Sequence, residues 1–207
     1  MSIERRMQLL ELSKRYSFVI IEDDYDYDFH YLSSPYLPLA SADHAGNVIY
    51  IGSFSKILDP SLRVGFMVAP MNFIRQAVAL RKLIDVAGDG YMQNAIAALI
   101  NGGELKRHLK KAKKTYHQRM NFLDKLFKER LASYVSYTLP TGGMAIWVKL
   151  REDLSVTELF RKKGLVHISR YYEGQNAFRF GFASMDESEL DHAVSVLHGE
   201  LRKIEKL

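Results

Sequence analysis

Val48-Ile49-Tyr50-Ile51-Gly52-Ser53-Phe54-Ser55-Lys56 runs four apolar residues straight into a glycine, two hydroxyls and a lysine. The four are β-branched or aromatic and lack the polar alternation of a half-solvated strand, so they read as a strand covered on both faces. Phe18-Val19-Ile20-Ile21 has the same character, and it ends in Glu22-Asp23-Asp24-Tyr25-Asp26-Tyr27-Asp28, which piles acid at the strand's C-terminal end. Val64 to Ala69 makes a third strand. Only Gly52 to Arg63 separates the second from the third, and Pro60 interrupts that segment. Such a connection is barely long enough for a crossover, which favours antiparallel pairing around a functional loop.

Working outward, Ile3, Met7 and Leu10 mark a short amphipathic helix ahead of the first strand. Beyond the third strand the chain turns helical. Ile74, Ala77, Val78 and Ile84 form one stripe, and Tyr91 to Ile100 forms another, stopped by Gly102-Gly103. A long helix follows, on which Leu105, Leu109, Ala112, Tyr116, Met120, Leu123 and Phe127 recur at three- and four-residue steps. The last third alternates differently: Tyr134 to Thr138 and Met144 to Leu150 are strands around Pro140-Thr141-Gly142-Gly143. Ser155-Val156-Thr157-Glu158 has capping-box form, with Gly164 as the stop of the helix it opens. Ala177 to Ala183 alternates strictly, with Phe178, Phe180 and Phe182 on one face and Arg179 on the other. Ser184-Met185-Asp186-Glu187 reads as a second capping box, opening a helix with Leu190, Ala193, Val194, Leu197, Leu201 and Ile204 on its buried face. The expected division is residues 1–103 as strands with linking helices, and residues 104–207 as the long helix with a small α+β domain. The class is α/β with a mixed sheet.

The 207 residues, 47% hydrophobic and 26% charged, describe an ordinary globular chain rather than a disordered one. No apolar run reaches the roughly 18 to 20 residues of a membrane span, and the start lacks a signal peptide's apolar stretch, so a cytoplasmic protein without membrane contact is expected. With no cysteine, disulfides, thiolate nucleophiles and cysteine-ligated zinc drop out together. The net charge of +5 does not point to nucleic acid, because Glu104 to Arg130 alone carries ten Lys/Arg against three Asp/Glu. Lys110, Lys111, Lys113 and Lys114 fall largely outside that helix's apolar stripe, as on a solvated face.

The loop after the second strand carries the chemistry. A lysine amine at a buried strand's end, partly out of water and near the guanidinium of Arg63, is a nucleophile for a carbonyl carbon. Ser53, Ser55 and Arg63 offer hydroxyl and bidentate donors to a phosphate. If the first two strands run parallel, Asp23 and Tyr25 end on the same edge. Pyridoxal phosphate demands this combination: a lysine to bond its aldehyde carbon, a carboxylate for the ring nitrogen, a phenol for the ring oxygen and donors for the phosphate.

Ile21-Glu22-Asp23-Asp24-Tyr25-Asp26-Tyr27-Asp28-Phe29 and Val48 to Gly65 resemble the aminotransferase-like domain of MocR-type transcriptional regulators of the GntR superfamily. Gly102-Gly103-Glu104-Leu105-Lys106-Arg107-His108-Leu109 with Tyr116 and Arg119, and Arg179-Phe180-Gly181-Phe182-Ala183, are similar to the same family. The resemblance spans essentially the whole chain. It implies the C-terminal part of a fold type I, aminotransferase-like domain that forms a homodimer. Lys56 matches the lysine that bonds pyridoxal phosphate, Asp23 the partner of the pyridine nitrogen and Tyr25 the phenol at the ring oxygen. Ser53, Ser55 and Arg63 match phosphate contacts, and Arg179 the arginine that takes the carboxylate of an amino acid ligand.

The winged helix-turn-helix, linker and first half of the domain that such regulators carry ahead of this strand have no counterpart here. DNA contact is therefore expected only through that N-terminal domain, and the site in these residues is expected to be incomplete and not catalytically competent alone. The implied function is sensing: pyridoxal phosphate is bound as a ligand, and an amino acid or amine effector reacts there to switch DNA binding. Two alternatives stand beside it, a fragment of a true aminotransferase and a cofactor-free oligomerisation scaffold.

Overall fold

The computed structural model describes residues 1–31, 37–84, 88–161, 168–169 and 174–205. These form two compact units, Met1–Asp28 with Ser34–Leu109, and Phe29–Ser33 with Lys110–Leu207. The position expected to end the helix after Ser155, Gly164, lies outside the described residues.

In the first unit, α1 (Ile3–Tyr16) is capped by Ser2, whose hydroxyl accepts from the Arg5 amide at 3.4 Å. The chain then reverses at Ser17, which is in the left-handed region at φ 55°, and enters β1 (Ile20–Asp23). Strand β2 (Val48–Ser53) pairs with β1 in parallel, and β3 (Gly65–Val68) pairs with β2 antiparallel, as its short connection requires. The sheet order is β1-β2-β3.

Burial is uneven in this sheet. Val48, Ile49 and Tyr50 are buried, but Val19 is 58% and Ile21 66% exposed, and every residue of β3 is exposed. Phe18 to Ile21, whose composition suits a strand covered on both faces, is enclosed only in part: among the described residues β1 and β3 flank the sheet and only the central strand is enclosed. Helix α2 (Met71–Ile84) likewise has no buried residue despite its apolar stripe. The helix α3 (Gly90–Asn101), capped by Asp89, buries Ile96 alone.

Two glycines fix the β2–β3 contact. A Cβ on Gly52 would stand 2.3 Å from the Phe66 ring, and one on Gly65 would stand 2.8 Å from the carbonyl oxygen of Gly52. Phe66 therefore lies flat on the strand, between Tyr50 and Phe54 at ring separations of 6.0 and 5.5 Å.

The second unit has a closed core. Here α4 (Glu104–Arg130), whose course begins in the first unit, buries Met120, Leu123, Leu126 and Phe127. It packs with a four-stranded sheet of order β4-β5-β7-β6, in which β4 (Val135–Tyr137), β5 (Ala145–Leu150), β6 (Ile168–Ser169) and β7 (Ala177–Gly181) pair antiparallel. Phe178, Phe180 and Phe182 are all buried, as the alternation requires. The short α5 (Val156–Phe160) is capped by Ser155. The last helix, α6 (Glu187–Ile204), buries all six predicted apolar positions.

Its capping box sits two residues beyond the predicted one. Asp186 accepts from the Glu189 amide at 2.9 Å, and Glu189 accepts from the Asp186 amide at 2.8 Å. Asp is as good an N-cap as Ser, so Ser184 loses to a residue whose N3 glutamate returns the bond.

A surface network ties the end of α6 to β5. Arg151 bonds Asp153 at 2.5 Å and Glu205 at 2.7 Å, and Tyr134 donates to Glu205 at 3.1 Å. The Arg151 guanidinium holds both carboxyls below their ordinary range. A carboxyl depressed in the folded state contributes stability above its unfolded pKa and loses it as pH falls through the folded one. Thermal unfolding of the second unit is therefore expected to weaken below about pH 4, less steeply in Arg151→Met than in the wild type. Parallel melting-temperature profiles for the two proteins would contradict this.

Candidate functional site

The parallel register of β1 and β2 aligns Asp23 with Ile51, so both strands end on one edge of the sheet. Asp23 and Tyr25 stand at the end of β1, and Ser53, Ser55 and Lys56 follow the end of β2. Asp23, the last residue of β1, is exposed, whereas Tyr25 and Ser53 are half-buried. Beyond Ser53 the chain makes a turn, closed by the Leu58 amide on the Phe54 carbonyl at 2.8 Å, and Lys56 lies exposed within it. Lys56 is exposed, so the expected partial removal of its amine from water is not found among the described residues. Ser53 Oγ accepts from the Ser55 amide at 3.2 Å, which holds the two hydroxyls of the Ser-x-Ser-Lys run on one short turn.

Pro60 does not break this loop but starts a single turn of 3₁₀ helix, Pro60–Leu62, where a residue without an N–H is welcome. Asp59 caps it, accepting from the Ser61 amide at 2.7 Å and the Ser61 hydroxyl at 2.5 Å, bonds that depress its carboxyl. Arg63 closes the turn in the left-handed region, at φ 50°. Only there and at Ser17 does a described non-glycine residue take positive φ. The Phe54 amide then bonds the Val64 carbonyl at 3.0 Å and zips the loop into the β2–β3 pair.

Arg179 belongs to the second unit, half-buried on β7 opposite Trp147 and Ser169.

Several roles were hidden in the sequence. Glu22, counted with the acidic run, is structural: its carboxylate accepts from the Leu39 and Ala40 amides at 2.8 and 3.1 Å and pairs with Arg6 at 3.6 Å. His108, within the Gly-Glu-Leu-x-Arg-His-Leu run, reaches the Ile57 carbonyl with Nε2 at 2.8 Å, one residue past Lys56. In the second unit, Gly142 and Gly143 do more than turn between strands. The Gly143 amide bonds the Phe29 carbonyl at 2.7 Å, and a Cβ on Gly142 would stand 2.5 Å from that same oxygen.

Beside the edge, Tyr25 and Ser53 also line a cleft of about 270 Å³ that includes Tyr50, Phe66 and Leu109. Lys56, Asp23 and Arg63 do not line it. Among the described residues no cluster of His, Asp and Glu is arranged to hold a metal ion, and no helix is long and apolar enough to cross a membrane.

The donor set fits pyridoxal phosphate: an exposed lysine and carboxylate on one edge, a phenol between them in sequence, and two hydroxyls on a single turn. Residues 1–197 match the family model of aminotransferase class I and II. The chain is 31% identical over 206 residues to the aromatic-amino-acid aminotransferase 1 of Thermococcus litoralis, covering 95% of this chain and 49% of that protein. It is 28% identical over 210 residues to the HTH-type transcriptional regulator YisV of Bacillus subtilis, covering 99% and 43%. Among solved structures, the Pyrococcus horikoshii kynurenine aminotransferase in complex with PMP superposes with a TM-score of 0.88 at 28% identity, over 98% of this chain and 52% of that one. The chain thus spans about half the length of the relatives it matches.

Proposed function

The chain belongs to the aminotransferase class I and II family, with the fold type I architecture of its structural relatives, and from that premise we propose that it is the effector-sensing part of a MocR-type regulator, holding pyridoxal phosphate through Lys56. The observation that carries this reading is the β1–β2 register, which gathers a carboxylate, a phenol and the Ser-x-Ser-Lys turn on one edge. Asp23 would accept a hydrogen bond from the protonated ring nitrogen, Tyr25 would donate to the ring oxygen, and Ser53, Ser55 and Arg63 would donate to the phosphate. When bound, the cofactor supplies a ring that draws electrons from the carbon beside an attached amine. Arg179 receives the carboxylate of an amino acid effector. In this reading residues 1–103 serve the cofactor and residues 104–207 form the small domain of a cytoplasmic homodimer, and DNA is contacted through an N-terminal domain.

Similarity to helix-turn-helix regulators such as YisV supports sensing. The identity to the Thermococcus litoralis enzyme supports a second reading, part of a true aminotransferase. An amino acid and a different keto acid as acceptor, added together to the loaded protein, separate them: a sensor changes its cofactor spectrum without exchanging the amino group, whereas an enzyme passes it to the acceptor and accumulates the keto acid of the donor.

Arg63 gives a further test, because its backbone favours glycine while its side chain is assigned to the phosphate. The left-handed conformation costs a non-glycine residue roughly 1–2 kcal/mol, so Arg63→Gly is expected to stabilise the chain by about 1 kcal/mol. Loss of a charge-assisted bond worth about 1.5–3 kcal/mol is expected to weaken cofactor binding tenfold or more. A more stable variant that binds pyridoxal phosphate as tightly as wild type would remove Arg63 from the site.

A further inference from the structure

Strand alternation puts Tyr50 and Gly52 on the face of the sheet opposite Ile51, the residue level with Asp23. Tyr50 is only 9% exposed, yet its hydroxyl makes no hydrogen bond to any described residue. No fully buried side-chain oxygen among the described residues lacks a partner. The hydroxyl therefore keeps some exposure, and Tyr50 is among the residues that line the cleft. A phenol this deep, without a protein partner, is a polar group waiting for one.

Its surroundings define the chemistry. Asp24 and Asp28 line the same cleft, together with the rings of Phe54 and Phe66. Burial, followed by the charges of Asp24, Glu22 and Asp28, pushes the Tyr50 phenol up to about 12, so it stays neutral near pH 7 with its oxygen lone pairs available. Leu105 and Leu109 supply an aliphatic wall. At about 270 Å³ the space is slightly below the roughly 300–1,000 Å³ of pockets for drug-sized ligands. A cation suits the carboxylates and ring faces, an N–H suits the phenol oxygen, and a short alkyl chain suits the leucines.

We propose that this cleft binds a small primary alkylammonium ion, its N–H donating to Tyr50 Oη between Asp24 and Asp28, its alkyl chain lying against Leu105 and Leu109. The ammonium site adjoins the cofactor's, since Tyr25 and Ser53 line the same cleft while Lys56, Asp23 and Arg63 lie outside it, and it is therefore tested without the cofactor. Asp24 and Asp28 have other interactions of their own. The ligand needs only their negative field and the one unused acceptor.

The test is a calorimetric titration of the whole cofactor-free chain with n-butylammonium chloride, compared with n-butanol and tetramethylammonium chloride. Saturable, salt-sensitive binding of butylammonium is expected, with butanol at least tenfold weaker because it carries no charge. Tetramethylammonium, which has no N–H, is expected to bind about fivefold more weakly. Tyr50→Phe keeps the ring and its packing, and it is expected to bring butylammonium down to the tetramethylammonium level while leaving the latter unchanged. No saturable binding, equal binding of butanol, or full-strength butylammonium binding by a folded Tyr50→Phe overturns the proposal. If that variant misfolds, the ranking of the three probes on the wild-type chain still decides it.

Discussion

Lys56→Ala is expected to abolish covalent retention of pyridoxal phosphate by this chain. After borohydride reduction of the loaded wild type, peptide mapping should find the label on the segment containing Lys56. In the variant only the weak, scattered labelling of surface amines should remain. The expectation rests on position. Among the described lysines only Lys56 follows directly on the strand end next to Asp23 and Tyr25, where an aldehyde held by its phosphate would meet an amine repeatedly instead of by diffusion. The run Lys110 to Lys114 provides the internal comparison, because Lys110, Lys111 and Lys114 are exposed without such neighbours. A label found chiefly there, and equally strong in Lys56→Ala, would sink the assignment.

The second large effect is on stability. Phe127 is fully buried and meets Tyr137 and Phe180 edge-on, with ring centres 5.2 and 5.3 Å away. Truncation to alanine removes two aromatic contacts and leaves a cavity on every side, a change that costs about 3–5 kcal/mol. Against a whole-domain stability of roughly 5–15 kcal/mol, that is a major fraction. Trp147 is the only tryptophan in the chain and lies on β5 of the same unit, so urea unfolding followed by its fluorescence reads this unit directly. Ile84→Ala, at a side chain 76% exposed in the first unit, should shift the same transition by less than about 0.5 kcal/mol. Equal shifts for the two variants would mean that the two units do not unfold as the packing implies.

How far the sequence was readable differs between the units for a physical reason. In the second, helix and strand periods agree with burial almost residue by residue, from Met120 to Phe127 and from Phe178 to Phe182, because one closed core decides every apolar position. In the first, apolar pattern and burial part company at β1 and β3, where Ile21 and Val68 are exposed although they look as enclosed as Ile49, in a chain that spans about half the length of its relatives. The site reads well where neighbours in sequence are neighbours in space, as in Ser53 to Lys56. The antiparallel β2–β3 pair follows from a short connection, whereas the parallel β1–β2 pair is a choice that no local signal makes. Partners far apart stayed hidden: Glu22 under Leu39 and Ala40, His108 on Ile57, and Phe29 on Gly143. Each is an ordinary residue whose role is set by a segment at least 15 positions away. The one local misreading, Ser184 for Asp186, came from two capping signals two residues apart.

The interlock of Gly52, Gly65 and Phe66 also sets which substitutions this chain can accumulate, and in what order. Position 65 faces a backbone oxygen that cannot step aside, so alanine there is barred in any background that keeps the pairing. Position 52 faces a side chain, and its tolerance is conditional: alanine becomes acceptable only after residue 66 has shrunk. A mutational library over these sites should show sign epistasis between 52 and 66 and none at 65, with Phe66→Ala first in every viable route to a larger residue at 52. The small residue before Ser53 thus depends on the history of an aromatic residue across the sheet.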